Sequence, residues 1–66
     1  QGLFYDLCKT YRLSRADINY LLKASEAHCH EQPAMVFIDP GILNSYISQA
    51  GSDARYYELL EERLFQ

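Results

Sequence analysis

The chain has 66 residues, a formal net charge of −3 and an apolar fraction of 48%. This length allows one small domain, and the apolar content argues against an intrinsically disordered segment. The mild negative charge argues against bulk nucleic-acid binding, which needs a basic surface, and gives no reason to expect an anionic membrane as a partner.

The chain begins Gln1-Gly2 without an initiator methionine, as if protease cleavage had removed an expression tag. We therefore expect native sequence to start near Leu3. Residues 1–66 are then one helical domain, either excised from a larger protein or left by processing. No apolar run approaches the roughly 18 residues of a membrane span, and no signal-peptide pattern is present.

Two cysteines, Cys8 and Cys29, are too few for a disulfide scaffold. We expect free thiols in a reducing compartment, and hence a cytoplasmic location. A disulfide between these two cysteines remains the alternative, because both lie on apolar faces of predicted helices.

The first predicted helix covers residues 3–12. Phe4, Leu7, Cys8 and Tyr11 keep the spacing of one buried helical face. Only a short break separates this helix from the next, which predicts that the two helices are neighbours at a sharp angle.

The best-specified helix lies within residues 13–30. Ser14 predicts an N-cap, and Asp17 completes a capping box by reaching back to the Ser14 amide. Leu13 and Ile18 are placed to form a hydrophobic staple around this cap. The apolar stripe that follows is predicted at Ile18, Leu21, Leu22, Ser25 and Cys29.

Residues 33–39 form a short apolar segment, here called the connector, between Pro33 and Pro40. Pro33 predicts that the preceding helix ends near His30. A buried strand in the connector would lack a partner strand, so we expect a helical turn or an extended buried crossing. Met35 and Phe37 are the predicted core anchors.

Asp39 and Pro40 are typical of a helix start, and they open the third predicted helix. Ile38 and Leu43 are placed to form a second hydrophobic staple. We expect Gly51 to end this helix in a left-handed conformation.

Ser52 is the predicted cap of the fourth helix. Its apolar residues form a wide band, which predicts contact with two partners. The residues of this band are Tyr56, Tyr57, Leu59, Leu60, Leu64 and Phe65. Glu58, Glu61 and Glu62 gather on its outer side. The sequence thus predicts an all-α fold, a compact domain of four crossed helices joined in part by the apolar connector.

His28, Cys29 and His30 are candidate metal ligands, because they adjoin and because cysteine and histidine bind zinc. Residues i and i+2 of a helix point to nearly opposite sides, and no paired-ligand motif accompanies them. We therefore expect Cys29 in the core, both histidines in solvent, and no metal or other cofactor.

A helix-turn-helix DNA-binding domain is the alternative function. Its third helix offers residue types that can contact base edges, and a small basic patch lies near the first helix junction. Against it, the third helix has no Lys or Arg for phosphate contacts, and the link from His30 to Asp39 is longer than the usual turn. The base-contacting candidates are Asn44, Ser45, Ser48 and Gln49, and the basic patch is Lys9, Arg12 and Arg15.

Catalysis has little support, since no nucleophile, phosphate-loop or metalloprotease motif is present. A chain this short also has little room for a substrate pocket, so we expect neither an enzyme nor a small-molecule ligand.

A protein–protein interaction or regulatory module of a larger protein is the predicted function, with a protein partner or a second copy of the chain. Tyrosine supplies six of the nine aromatic residues, and exposed aromatics are favoured at interfaces. Tyr5 and Tyr20 join the fourth helix as candidate aromatic contacts. The predicted partner-binding residues of the fourth helix are Tyr56, Tyr57, Leu60, Phe65, Glu58, Glu61 and Glu62, with the glutamates steering a basic partner.

Overall fold

The computed structural model describes residues 2–65, which form four α-helices and two short 3-10 helices. The described residues contain no strand, so the predicted all-α class with four helices is confirmed. The α-helices are α1 (Gly2–Thr10), α2 (Arg15–His28), α3 (Pro40–Ile47) and α4 (Ala54–Phe65), and the 3-10 helices are Pro33–Phe37 and Gly51–Asp53.

The junction between α1 and α2 is a Schellman turn. The Leu13 amide donates to the Cys8 carbonyl at 3.0 Å, and the Arg12 amide donates to the Lys9 carbonyl at 3.0 Å. Arg12 occupies the left-handed position with a φ of 57°. α1 ends at Thr10, two residues earlier than predicted, because the tight turn begins there.

The predicted capping box of α2 is confirmed. The Ser14 hydroxyl accepts the Asp17 amide at 3.1 Å, and the Ser14 amide donates to the Asp17 carboxylate at 3.0 Å. The helix ends at His28 rather than His30, because Cys29 leaves helical geometry with a φ of −145°.

The connector contains a 3-10 helix opened by Pro33, as the helical-turn alternative predicted. Phe37 is buried, with its ring 5.6 Å from Phe4 and 5.5 Å from Tyr11 between centroids. Met35 is only half-buried and lies outside the core cluster, so its predicted anchoring role is wrong. Val36 fills that place instead.

The start of α3 is confirmed, since the Asp39 carboxylate accepts the Gly41 amide at 2.9 Å. Ile38, however, is 61% exposed, so the predicted staple with Leu43 does not enclose it.

The predicted boundary between α3 and α4 is wrong. α3 ends at Ile47, and Gly51, although left-handed with a φ of 59°, opens a 3-10 helix instead of closing α3. Ser52 lies inside that 3-10 helix. α4 therefore begins at Ala54 and not at Asp53, which a Ser52 cap would require.

The core joins all four α-helices and the connector. α1 packs mainly against the connector and α4 mainly against α3, while α2 contacts both the connector and α3. No helix within residues 2–65 has the length and apolar character needed to cross a membrane. The buried apolar residues are Phe4, Cys8, Leu21, Ala24, Val36, Phe37, Leu43, Tyr57, Leu60 and Leu64.

Candidate protein-interaction site on helix α4

Two of the predicted partner-binding residues belong to the core. Tyr57 and Leu60 are 1% and 2% exposed, because they share with Leu64 the side of α4 that packs inward. The Tyr57 hydroxyl donates to the Tyr20 carbonyl at 2.7 Å, and burial, together with neighbouring acidic groups, raises the pKa of Tyr57 well above its ordinary value. Both are therefore core residues, and Leu60 presents only a small exposed edge at the surface.

The outer face of α4 carries Arg55, Glu58, Leu59 and Glu62, which recur at the spacing of one helical face. Leu59 is 45% exposed in the middle of this charged face. Leu59 belongs to the predicted apolar band of the fourth helix, but it was not among the predicted contact residues. Leu59 lies outside the buried stripe of residues 57, 60 and 64 and next to Glu58, and this position in the sequence could have indicated its exposure.

An open groove of about 450 Å³ lies between α4 and the start of α2. Leu59 and Leu60 supply its apolar lining, while Tyr56, Glu62 and Arg63 supply polar atoms. The exposed Leu59 side chain therefore lies at a concave surface, in which a partner could place its own side chains.

Asp17 ties the two walls of this groove together. Its carboxylate, in a residue only 7% exposed, lies 3.1 Å from Nη1 of Arg63 and also accepts the Tyr56 hydroxyl. Arg63 donates a second bond to the Tyr11 carbonyl at 3.3 Å. Only the cap role of Asp17 was predicted, because nothing in a local sequence pattern indicates contacts 39 and 46 residues away.

The pKa of Asp17 reflects two opposing effects. Burial, the largest single cause, raises it, but hydrogen bonds from Tyr56, Ser14 and Arg63 together outweigh burial and hold the pKa below its ordinary value. The hydrogen bond to Asp17 raises the pKa of the Tyr56 hydroxyl. Asp17 is therefore a carboxylate and Tyr56 a neutral donor at neutral pH.

Tyrosine rings extend the rigid wall beyond Tyr56. Tyr20 stacks on Tyr56 with centroids 4.1 Å apart, and its hydroxyl donates to Asp53 at 3.3 Å. Both rings are half-buried, so they are candidate contact residues only at their exposed edges.

The carboxylates of α4 differ in pairing. Glu58 pairs with Arg55 at 3.1 Å. The other ion pair in the described range of the chain, residues 2–65, joins Arg63 to Asp17. Glu61 and Glu62 therefore have no ion-pair partner within that span. A shallow groove between α3 and α4 is lined by all three glutamates, so the acidic surface is continuous.

The remaining candidates are scattered over the surface. Phe65 is half-buried against the core, and Tyr5 is exposed on α1, far along the chain from α4. The basic patch residues are exposed, and so are the four base-contacting candidates of α3 and its end, of which Gln49 lies 3.4 Å from a His28 ring nitrogen. The nucleic-acid alternative stays a prediction.

The cysteine and histidine candidates are now placed. Cys8 and Cys29 are free thiols, with Cys8 buried and Cys29 half-buried. His28 and His30 are exposed. No group of three or more potential metal ligands occurs in the part of the chain that the structure describes.

Comparison of the chain with protein-family models, with curated proteins and with solved structures found no match.

Proposed function

We propose that the domain is a protein–protein interaction module that docks a basic, amphipathic segment of a partner on α4. One observation carries this proposal: Leu59 is exposed on an acidic helical face and borders a preformed groove. Interfaces commonly combine an apolar anchor in a pocket with a polar rim, and α4 offers both.

The partner's charge follows from the glutamates. Glu61 and Glu62 lack ion-pair partners within residues 2–65, and the chain carries a net charge of −3. A basic segment would gain favourable contacts at this rim and would associate faster at low salt, whereas an acidic one would be repelled. Arg63 adds little opposing charge, because Asp17 already neutralises it at 3.1 Å.

The groove is ordered before any partner arrives. Asp17 contacts both Tyr56 and Arg63, so these three residues of the groove lining are restrained by contacts within the domain. Tyr20 restrains Tyr56 further by stacking on its ring. A partner then loses less affinity to the ordering of side chains than it would on a mobile surface.

The test uses two synthetic helical peptides with the same leucine pattern, one with lysine and one with glutamate at every charged position. We expect the lysine peptide to bind the isotopically labelled domain, with NMR shift changes centred on Leu59 and Glu62. Binding should weaken as salt is added. Leu59→Ala, and separately the double change Glu61→Gln with Glu62→Gln, should each reduce affinity by about tenfold.

Ile38→Ala is the matched control, because Ile38 is also an exposed aliphatic residue but lies on the connector, away from α4. It should leave peptide affinity unchanged. Equal binding of the two peptides, or shift changes centred away from α4, would show that the acidic face is not a docking site for basic segments.

A further inference from the structure

A second exposed apolar surface lies at the start of α1 and along the connector. Leu3, Tyr5 and Ile38 are 58%, 50% and 61% exposed, and they are the most exposed large apolar side chains among residues 2–65. Leu3 and Ile38 border one cavity and Tyr5 borders another, and Pro33 lines both. The three side chains therefore surround one continuous region, here called the connector patch: Leu3, Tyr5, Pro33, Met35 and Ile38.

The connector patch is nearly free of charge. The cavity beside Tyr5, about 460 Å³, has no acidic or basic side chain in its lining. The cavity beside Ile38, about 370 Å³, has one carboxylate, Glu31, and one imidazole, His30. The basic segment proposed for α4 would find little to pair with here, so this surface calls for an apolar partner close to neutrality.

We propose that the connector patch binds the same patch of a second copy of this chain, forming a two-fold dimer. A two-fold interface brings identical surfaces together in opposite directions, so it needs a self-complementary surface. The patch has apolar side chains beside cavities, and its rim carries a base and an acid in adjacent positions. His30 of each copy can therefore face Glu31 of the other.

Charge also favours this face over α4 for self-association. Each copy carries a net charge of −3, and Glu58, Glu61 and Glu62 line neither cavity of the connector patch. Joining two copies at α4 would oppose six glutamates, whereas joining them at the connector patch keeps the two acidic faces apart.

The domain has enough surface for a standard interface. A standard protein interface takes about 800 Å² from each partner, which is less than a fifth of the 4316 Å² surface of this domain. A small domain buries a limited share of its own surface, and association adds stability by mass action.

The test is the molar mass of the intact chain from about 1 µM to about 1 mM, by sedimentation or light scattering. We expect a reversible dimer whose midpoint of thermal unfolding rises with concentration. Ile38→Glu and, separately, Leu3→Glu should each weaken dimerisation at least about tenfold. Leu3 lies in the first turn of α1 and Ile38 lies just before α3, where a glutamate suits the helix dipole, so the fold should survive.

Leu59→Glu is the control matched in charge and exposure, and it should leave the dimer unchanged. A strict monomer at about 1 mM, or a dimer weakened by Leu59→Glu but not by Ile38→Glu, would overturn the proposal. The docking of basic peptides on α4 is measured separately, so either proposal can fail while the other stands.

Discussion

The two sides of this domain are held together by different kinds of interaction. On one side, α1 and the turn that follows it meet the connector through ring contacts: Phe4 of α1 and Tyr11 of the turn both lie within 5.6 Å of Phe37 between centroids. Within the described range, no hydrogen bond joins a side chain of α1 to another element. On the other side, α4 is tied to α2 and the α1–α2 turn by hydrogen bonds from Tyr56, Tyr57 and Arg63.

The difference has consequences for specificity. Apolar contacts are strong in sum but tolerate sliding, whereas hydrogen bonds require one register between the helices. We therefore expect α4, and with it the groove, to vary less in position relative to the rest of the domain than α1 does. Mutations on each side can test this contrast.

Phe37→Ala should have the largest effect, because it removes the ring on which the α1 side depends. A buried Phe to Ala change costs about 3–5 kcal/mol, which is enough to unfold many domains of this size. Urea denaturation of the variant measures it. Met35→Ala, in the same connector but half-buried, should cost about 1 kcal/mol. Equal losses would mean that Phe37 is not the anchor of this side.

Asp17→Asn tests the polar side. It removes the charge that Arg63 and Tyr56 contact while keeping a side-chain oxygen for the α2 cap, and we expect a loss of about 1.5–3 kcal/mol. Asp53→Asn is the control, because Asp53 accepts only the longer 3.3 Å bond from Tyr20 among described contacts. Chemical denaturation at pH 7 should show the smaller loss for that control.

Acid should erase the difference between Asp17→Asn and the unchanged protein. The pKa of Asp17 is lower in the folded state than its ordinary value. Its stabilising contribution is therefore complete above that ordinary value and is lost as pH falls through the folded pKa. Unfolding free energies of the two proteins should converge below about pH 4. A constant gap down to pH 2 would contradict the role of the charge.

Tyr57→Phe isolates one hydrogen bond of the polar side. It keeps the ring in the core but removes the donor to the Tyr20 carbonyl, and we expect a loss of about 1 kcal/mol. Tyr5→Phe removes a hydroxyl from an exposed ring and should cost close to nothing. If both losses were the same, the buried hydroxyl would add no net stability.

Arg12→Gly should have the smallest effect and the opposite sign. Arg12 holds a left-handed conformation that costs a non-glycine residue about 1–2 kcal/mol, and glycine's greater freedom in the unfolded chain offsets part of the gain. We expect stabilisation below about 1 kcal/mol. Lys9→Gly, inside α1, should destabilise by about 0.5–1 kcal/mol. Thermal unfolding separates the two signs.

Local signals in the sequence predicted much of the secondary structure. The capping box at Ser14 and the Asp39-Pro40 start are set by side chains within three residues of the amides they serve, so they could be predicted. The ends of α1, α2 and α3 were placed too late. Each of those ends depends on turn geometry, such as a left-handed Arg12, for which the residue type gives no warning.

The candidate site was harder to predict. Helical spacing predicted that α4 has a wide apolar band, but it could not say which part faces α3. Tyr57 and Leu60 were therefore assigned to the surface although the fold buries them. The bonds from Asp17 to Tyr56 and Arg63 span 39 and 46 residues, so only the folded chain brings these groups together.

The reactivity of the Cys8 thiol can report the separation of α1 from the connector. Cys8 is 1% exposed and lies on the inner side of α1, a helix whose side chains form no hydrogen bonds to other elements within residues 2–65. Burial also raises its pKa, so the thiol is unreactive while α1 stays seated. Regions with few directional contacts detach at lower free energy than the whole fold. The rate at which a thiol reagent labels Cys8, relative to the rate at half-buried Cys29, therefore measures how often α1 separates from the connector while the rest of the domain stays folded.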